Sequence, residues 1–300
     1  MTEATRCGFV ALIGAPNAGK STLLNTLVGT KVAIVSPKVQ TTRSRVLGIL
    51  TEGQAQVIFV DTPGIFKPKR RLDRAMVAAA WAGAAEGDLV LLLVDASKKG
   101  VREETRSIIE RLAQSKRQAI LILNKIDAVR REILLALAAE LNTSGVFTDT
   151  FMISALTGDG VQDLRTSLAE RLPEGPWLFP EDQVSDMPMR LLAAEITREK
   201  LFIRLQQELP YAVAVETEDW EEQPDGSVRI AQVIYVQRPG QKAIVLGHGG
   251  QMIKAIGTAA RLELEEITEQ RVHLSLFVKV RENWLDDPAR YSTWGLDFDA

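Results

Sequence analysis

The sequence predicts an α/β domain with a mostly parallel sheet and helices on both faces, followed by a smaller α+β domain. Three observations carry this. Short apolar runs near residues 8–13, 56–60, 89–94, 119–123 and 150–153 lack polar alternation, as strands covered on both faces do. Helical patterns near 20–28, 73–85, 103–114, 131–142 and 161–171 fill the intervals, and such alternation builds right-handed βαβ units. At 172–188, "LPEGPWLFPEDQVSDMP", four prolines and several acids end the periodicity, and a different order begins.

That second order starts with a helix near 188–207. Two β-rich runs follow, 211–217 and 227–236, joined by the acidic turn 218–226 as a hairpin. A helix near 240–246, a glycine loop, a helix near 250–268 and a strand at 272–280 complete an α-β-β-α-α-β order. The expected division is therefore 1–172, a linker at 173–188, and 189–300.

Composition bounds the function. Of 300 residues, 46% are apolar and 25% charged, which suits folded domains rather than disorder. The net charge of −3 advertises no nucleic-acid partner in bulk, so any basic face must be local. The single cysteine, Cys7, lies in an apolar strand and is expected in the core; it permits no internal disulfide. No run approaches the roughly 18 apolar residues of a membrane helix, and the N-terminus shows no targeting pattern. A cytoplasmic location is expected, with peripheral membrane contact left open.

The stretch "GAPNAGKS" places Gly14, Ala15, Pro16, Asn17, Ala18, Gly19, Lys20 and Ser21 between an apolar strand and a helix. This is the phosphate loop G-x-x-x-x-G-K-[ST] in its proper context. Backbone N–H groups and the helix N-terminus face the phosphates, Lys20 reaches the β- and γ-phosphates, and the Ser21 hydroxyl ligates Mg²⁺. "NKID", Asn124, Lys125, Ile126 and Asp127, ends a parallel strand where open sheets bind ligands. The Asp127 carboxylate accepts from guanine N1–H and the 2-amino group, whereas adenine would leave it unpaired, so the nucleotide is GTP or GDP. Asn124 and the Lys125 stem are expected to shape and cover the base pocket.

"DTPG" supplies Asp61, Thr62, Pro63 and Gly64, with Asp61 toward Mg²⁺ through a water and the Gly64 N–H toward the γ-phosphate. "QTTR", 40–43, has the position of a switch loop; of Thr41 and Thr42, Thr42 is favoured to complete the metal shell. "SAL", Ser154, Ala155 and Leu156, is expected to meet the base from a backbone N–H. Lys20, Thr42 and Gly64 are the expected catalytic groups. In order and spacing these motifs resemble the five signatures of translation-factor-like GTPases. Ile65 stands where Ras-like GTPases place a water-orienting glutamine, and an isoleucine cannot hydrogen-bond water. Slow intrinsic hydrolysis is expected, on the order of 10⁻⁴ to 10⁻² s⁻¹. Asn17 resembles the asparagine of GTPases that recruit K⁺, or it only caps the loop.

The second glycine loop, Gly247-His248-Gly249-Gly250, joins two helices and has no Lys-Ser pair. A G-x-x-G turn between helices on a three-stranded sheet is the KH arrangement, which clamps single-stranded nucleic acid by its backbone. Lys242, His248 and Lys254 are candidate phosphate contacts, with Arg238, Arg261, Lys279 and Arg281 nearby in sequence. Ile244, Val245 and Ile253 are candidates to flank a base groove, and His273 is expected to be structural.

Taken with "EITREKLFIRLQQELPYAVAVE" at 195–216, "IVLGHGGQMIKAIG" at 244–257 and "LFVKVRENW" at 276–284, nearly the whole chain resembles the Era GTPase family. The resemblance implies a type II KH domain that binds the 3′ end of 16S rRNA. It also implies a role in maturation of the small (30S) ribosomal subunit and partial association with the inner membrane. A monomer is expected. At position 248 the family mostly carries lysine. The rival expectations are a GTPase of tRNA modification, a membrane-linked signalling GTPase, and an RNA-binding adaptor whose nucleotide only stabilises the fold.

Overall fold

The computed structural model of the chain describes residues 4–282, 284 and 287–300. It divides into two compact units: Met1–Ala33 with Thr42–Asp186 and Ser292–Ala300, and Ile34–Thr41 with Met187–Tyr291.

The first unit is built on six strands, β1 (Arg6–Gly14), β2 (Val46–Glu52), β3 (Ala55–Asp61), β4 (Leu89–Asp95), β5 (Ala119–Asn124) and β6 (Phe147–Ile153), in the order β2-β3-β1-β4-β5-β6. All pairs are parallel except β2 with β3. The edge strand β2 is absent from the sequence reading, which sought strands separated by helices. Its apolar residues Val46, Leu47, Ile49 and Leu50 are buried, and Gly53, at φ 58, turns the chain back into β3.

Five helices cover the sheet: α1 (Lys20–Val28), α2 (Arg71–Glu86), α3 (Glu103–Gln114), α4 (Arg131–Asn142) and α5 (Val161–Arg171). Ala80, Ile108, Leu112, Leu134, Leu137 and Leu141 from α2, α3 and α4 form one core with Leu92, Leu121 and Leu123. Leu23, Leu24 and Leu27 of α1 and Leu164 and Leu168 of α5 are fully buried, with these helices packed against β2 and β3. Each such side chain contributes roughly 1.5–3 kcal/mol relative to exposure. The parallel register aligns Leu12 with Asp61, Asp95 with Asn124, and Asn124 with Ile153, so the carboxyl ends of β1, β3, β4, β5 and β6 share one edge.

The segment expected as a linker runs largely along this unit. Gln56, fully buried, accepts from the N–H groups of Leu178 and Phe179 at 2.9 and 3.0 Å and donates to the Phe179 carbonyl at 2.8 Å. Trp177 and Phe179 pack on Cys7, Leu47, Ile58 and Val60. The two aromatic residues give this proline-rich run something to bury, so it lies along the sheet. At the chain's end the Arg71 guanidinium sits 4.2 Å from the Phe298 ring.

The second unit has α6 (Met189–Arg204), β7 (Ala214–Glu222), β8 (Val228–Val236), α7 (Pro239–Leu246), α8 (Gln251–Thr268), β9 (Val272–Val280) and the first residues of α9 (Pro288–Thr293), with sheet order β7-β8-β9. Strand β8 is antiparallel to β7 and parallel to β9. Helix α6 stops short of the expected 207 because Leu205 is already extended. Strand β7 runs on through the acidic residues expected in a turn: it is an edge strand, where charge is tolerated and discourages pairing with other chains. The connection shrinks to 223–227, with Gly226 at φ 77. Helix α9 carries no signal that the sequence reading used.

Candidate functional site

The phosphate loop runs from the end of β1 to the start of α1. Gly19 is in the left-handed region at φ 100, and a Cβ there would lie 2.2 Å from Asn124 Nδ2, so any side chain would be strained and would push the Asn124 amide from its place. Lys20, only 6% exposed, donates to the carbonyls of Gly14 and Ala15, both at 3.3 Å. Burial pushes its ammonium down from the ordinary value, against the pull of Asp61. Burial likewise raises the Asp61 carboxyl, against Lys20 and the hydrogen bonds of Ser21, Thr42 and Thr62. Both groups are ionisable and dry, an arrangement that suits a bound anion and cation.

Ser21 and Thr42 stand together at Asp61. Ser21 Oγ donates to Asp61 Oδ2 at 2.6 Å, Thr42 Oγ1 lies 2.9 Å from Ser21 Oγ, and Thr42 donates to Asp61 Oδ2 at 3.4 Å. Asp61 Oδ1 is buried with no hydrogen-bond partner among the described residues. Two hydroxyls and an orphaned carboxylate oxygen fit Mg²⁺, a hard cation that keeps waters and phosphate oxygens in its shell. No group of three or more His, Cys, Asp or Glu residues forms a metal cage among the described residues. Thr41 is placed differently: its hydroxyl pairs with Ser36 Oγ at 2.6 Å and donates to the Lys38 carbonyl at 2.9 Å.

Beyond Asp61, Thr62 donates to the Leu12 carbonyl at 2.9 Å and anchors the turn. Pro63 and Gly64 are buried, and a Cβ at Gly64 would lie 2.9 Å from Pro16 Cα. The Ile65 N–H donates to the Gly14 carbonyl at 3.0 Å, and its side chain joins the core with Ile13 and Ala80.

At the base end, Asn124 is 1% exposed and acts as a brace. Its Nδ2 donates to the Ala18 carbonyl at 2.8 Å, and its Oδ1 accepts from the N–H groups of Lys125 at 2.8 Å and Ala155 at 2.9 Å. Of the N–H groups of Ser154–Leu156, from which a base contact is expected, those of Ala155 and Ser154 are thus used internally, the latter on the Asp159 carbonyl at 2.9 Å. Ser154 is buried and accepts from the Thr157 N–H, Leu156 is 79% exposed, and Ile126 packs against the core. Lys125 donates to the Asn17 carbonyl at 2.8 Å and to Asp95 at 2.7 Å. The Asp127 carboxylate is exposed. Asp95 is a residue the sequence reading missed; its place at the end of β4, in register with Asn124, was the available signal.

The second loop is positioned by α7 and α8. Gln241 accepts from the N–H groups of Gln237 and Arg238 at 2.8 and 3.2 Å and caps α7, which ends at Gly247. A Cβ at Gly247, with φ 73, would lie 2.6 Å from Met252 Cβ. His248 and Gly249 are exposed, Gly250 is half-buried, and α8 opens immediately after. Lys254 is exposed and Lys242 half-buried. Arg238, Lys242, His248 and Lys254 have no ion pair among the described residues. By contrast, Arg261, Lys279 and Arg281 pair with Glu265, Glu218 and Asp287 at 2.6, 2.9 and 2.8 Å. Val245, expected at a base groove, is fully buried in the core, because α7 turns it toward Ile256 and Val278; Ile244 is 56% exposed and Ile253 half-buried. His273 is exposed on β9 opposite Arg229, since strand alternation places it away from the buried Val272.

A phosphate loop, a guanine-type carboxylate and a G-x-x-G turn on a three-stranded sheet define a P-loop GTPase joined to a KH domain. Residues 9–125 match the family model described as 50S ribosome-binding GTPase, and residues 208–285 match that of the KH domain. The chain is 65% identical over 294 residues to the GTPase Era of Rhizobium meliloti (strain 1021), covering 98% of this chain and 94% of that one. It is 62% identical to the GTPase Era of Brucella suis biovar 1 (strain 1330), covering 99% and 96%. The chain belongs to the Era GTPase family. Among solved structures it is similar to Era in complex with MgGDPNP and nucleotides 1506–1542 of 16S ribosomal RNA, at 40% identity and a TM-score of 0.91, covering 97% of this chain and 99% of that one. It is equally similar, by identity, coverage and TM-score, to a substituted form of Aquifex aeolicus Era bound to GDP·AlF₄⁻.

Proposed function

We propose that the protein hydrolyses GTP to control binding of its KH domain to the 3′ region of 16S rRNA, and so assists biogenesis of the 30S subunit. The observation that carries this is the turn Gly247–Gly250 at the head of α8, exposed at His248 and Gly249 and flanked by cations that form no ion pair among the described residues, in the same chain as a buried Lys20–Asp61 phosphate site. The related Era crystallised with nucleotides of 16S rRNA names the RNA.

On this proposal, Gly14–Ser21 wraps the phosphates and Lys20 leaves the carbonyls of Gly14 and Ala15 for the β- and γ-phosphates. Ser21, Thr42 and Asp61 hold Mg²⁺, which when bound neutralises charge on the phosphate oxygens. Gly64 presents its N–H to the γ-phosphate. Ile65 is committed to the core, so attacking water must be oriented from elsewhere. Asn17, in the left-handed region at φ 64, is the proposed K⁺ contact. Asp127 reads guanine, and Lys125 covers it from a position set by Asp95. The RNA backbone lies on Gly247–Gly250, His248, Lys242 and Lys254.

No helix among the described residues is long and apolar enough to cross a membrane. The proposed location is the cytoplasm and the proposed state a monomer; a peripheral inner-membrane contact rests on family resemblance alone.

The test is Gly249→Asp. A Cβ there meets nothing within 4 Å, and aspartate is among the residues that best tolerate the left-handed backbone at φ 56, so the cost to the fold is small and is checked by a thermal melt. It should bind GTP normally and lose affinity for a single-stranded RNA copying the 16S 3′ end, by at least about tenfold through repulsion at phosphate. Unchanged RNA affinity would reject the KH assignment. Absence of multiple turnover, with or without RNA, would favour the adaptor.

A further inference from the structure

Thr26 lies half-buried on α1, and its hydroxyl is turned toward another part of the first unit. Its Oγ1 lies 2.6 Å from the Ala155 carbonyl and 3.0 Å from the Thr22 carbonyl. A hydroxyl has one proton to donate. The Thr22 carbonyl stands at the i−4 position of the helix, where the Thr26 N–H already serves it. The shorter bond, to Ala155, is therefore the one that needs the hydroxyl. Threonine is also a poorer helix former than alanine, so the helix itself does not call for it here.

Ala155 is 2% exposed, and a carbonyl so far from water needs a donor. Its N–H is spent on Asn124 Oδ1 at 2.9 Å. The peptide units on either side of Ala155 are thus held by two elements, one from the end of β5 and the other from α1. Packing does little to place the next residue, since the Leu156 side chain is 79% exposed. Within the turn, the Ser154 carbonyl accepts from the Gly158 N–H at 2.9 Å and Ser154 Oγ from the Thr157 N–H at 3.1 Å. The Leu156 N–H finds no acceptor among the described residues. The Ala155 carbonyl and the Leu156 N–H belong to one planar trans peptide unit, so they point in opposite directions. Holding that carbonyl on α1 turns that N–H away from α1, on the exposed side of the turn.

We infer that Thr26 is a positioning residue for guanine: by holding the Ala155 carbonyl, it aims the Leu156 N–H at the carbonyl oxygen O6 of the base. This rests on the assignment of Asn124–Asp127 to guanine. Adenine carries an amino group in place of O6, a donor facing a donor, so the same peptide adds to the discrimination made by Asp127. Thr26 is six residues beyond Lys20, about 9 Å along the helix axis, so α1 ties the phosphate end of the site to its base end.

The experiment uses the full chain and compares Thr26→Val, Thr26→Ala and Thr26→Ser with the unsubstituted protein. It measures thermal unfolding, and affinity and release rate for GDP and for the 5′-diphosphate of 2-aminopurine riboside. That nucleotide keeps the phosphates, the ribose and the 2-amino group but lacks O6. Thr26→Val keeps the shape and loses the donor; it should weaken GDP at least about fivefold and speed its release, because a buried acceptor loses its partner and the turn shifts. Thr26→Ala should do the same, and Thr26→Ser, which keeps the hydroxyl, should stay within about twofold of the unsubstituted protein. The 2-aminopurine nucleotide has no O6 contact to lose, so its affinity should change by less than about twofold in each variant. Unchanged GDP affinity and release in folded Thr26→Val and Thr26→Ala would overturn the inference. So would an equal fall for both nucleotides, the mark of a purely structural role. If neither variant folds, the unsubstituted protein decides: at saturation, GDP should slow solvent exchange of the Leu156 amide proton at least about tenfold relative to the 2-aminopurine nucleotide, and equal exchange would overturn the inference. If the unsubstituted protein binds GDP no better than ADP, the guanine assignment fails and the inference with it; if GDP is preferred and the Thr26 variants keep its full margin over the 2-aminopurine nucleotide, only the inference fails.

Discussion

Replacing Asn124 by alanine should weaken GTP and GDP alike, and the structure sets the size of the effect. The Asn124 side chain makes three hydrogen bonds of 2.8–2.9 Å, to the Ala18 carbonyl and the N–H groups of Lys125 and Ala155. Ala18 and Ala155 are 1% and 2% exposed, so water cannot replace the lost partner at either. Each buried group left unsatisfied costs about 1–3 kcal/mol. Lys125 is only half-buried, so its N–H is left out of the sum. The total is therefore about 2–6 kcal/mol, divided between the fold and nucleotide binding. If all of it fell on binding, GDP affinity would drop at least about 30-fold; if all fell on the fold, the melting temperature would drop by about 4 °C or more. Fluorescence titration with a labelled GDP and a thermal melt together capture the sum. A variant with GDP affinity within about threefold and a melting temperature within about 1 °C of the unsubstituted protein would refute the bracing role.

Asp127→Asn should cut GTP affinity and admit xanthosine nucleotides, because the amide pairs with the added base carbonyl; a competition assay in which xanthosine triphosphate gains nothing would count against Asp127 as the guanine reader. Turnover should be faster in K⁺ than in Na⁺, and equal rates would remove Asn17 as a cation contact. His248→Lys should tighten RNA binding and steepen the slope of log affinity against log salt by about 0.7, one phosphate contact on a single strand. For Asp95, burial opposes the carboxylate, but hydrogen bonds from Lys125 and Ser97 outweigh it and hold the group below its ordinary 3.8. A depressed carboxyl stabilises the fold above its unfolded value and loses that contribution as pH falls through the folded one. Asp95→Asn should thus lower the melting temperature at pH 7 and leave it nearly unchanged near pH 2, and an equal loss at both would exclude the ion pair as the cause.

The sequence disclosed what repeats a local rule. Strands β1, β3, β4, β5 and β6 were legible as apolar runs because both their faces are covered, and Gly14–Ser21 was legible because strand, loop and helix appear in order. Strand β2 was not, since a hairpin strand beside a parallel sheet leaves no helical interval to mark it. Residues Trp177 and Phe179 were hidden in a proline-rich run whose partner, Gln56, lies more than a hundred positions away. Asn124 was found as a residue but not as a brace, because its three partners come from three separate loops. Thr26 carried no motif of its own: its partner in space, Ala155, lies 129 positions away along the chain.

The two glycine loops show why similar local sequences serve different ligands. Gly19 is pinned by Asn124, and Lys20 and Asp61 are driven into the interior, so the first loop has a fixed shape and a buried pair of opposite charges that suits one compact polyphosphate and its metal. At the second loop only Gly247 is pinned, by Met252; a Cβ at Gly249 or Gly250 would meet open space. Nothing there encloses a ligand on all sides, and the nearby cations are exposed or half-buried rather than dry. Such a surface gains little from a single small anion, which water solvates as well. It gains more from a chain of phosphates that releases counterions as it lies along the cations. The glycines at 249 and 250 therefore serve access and the left-handed backbone at φ 56 and 77, and those of the first loop serve fit. That difference predicts that a methyl group at Gly19 abolishes nucleotide binding, whereas one at Gly250 meets no clash, costs about 1–2 kcal/mol of backbone strain at φ 77, and leaves the nucleotide site unchanged while weakening RNA binding.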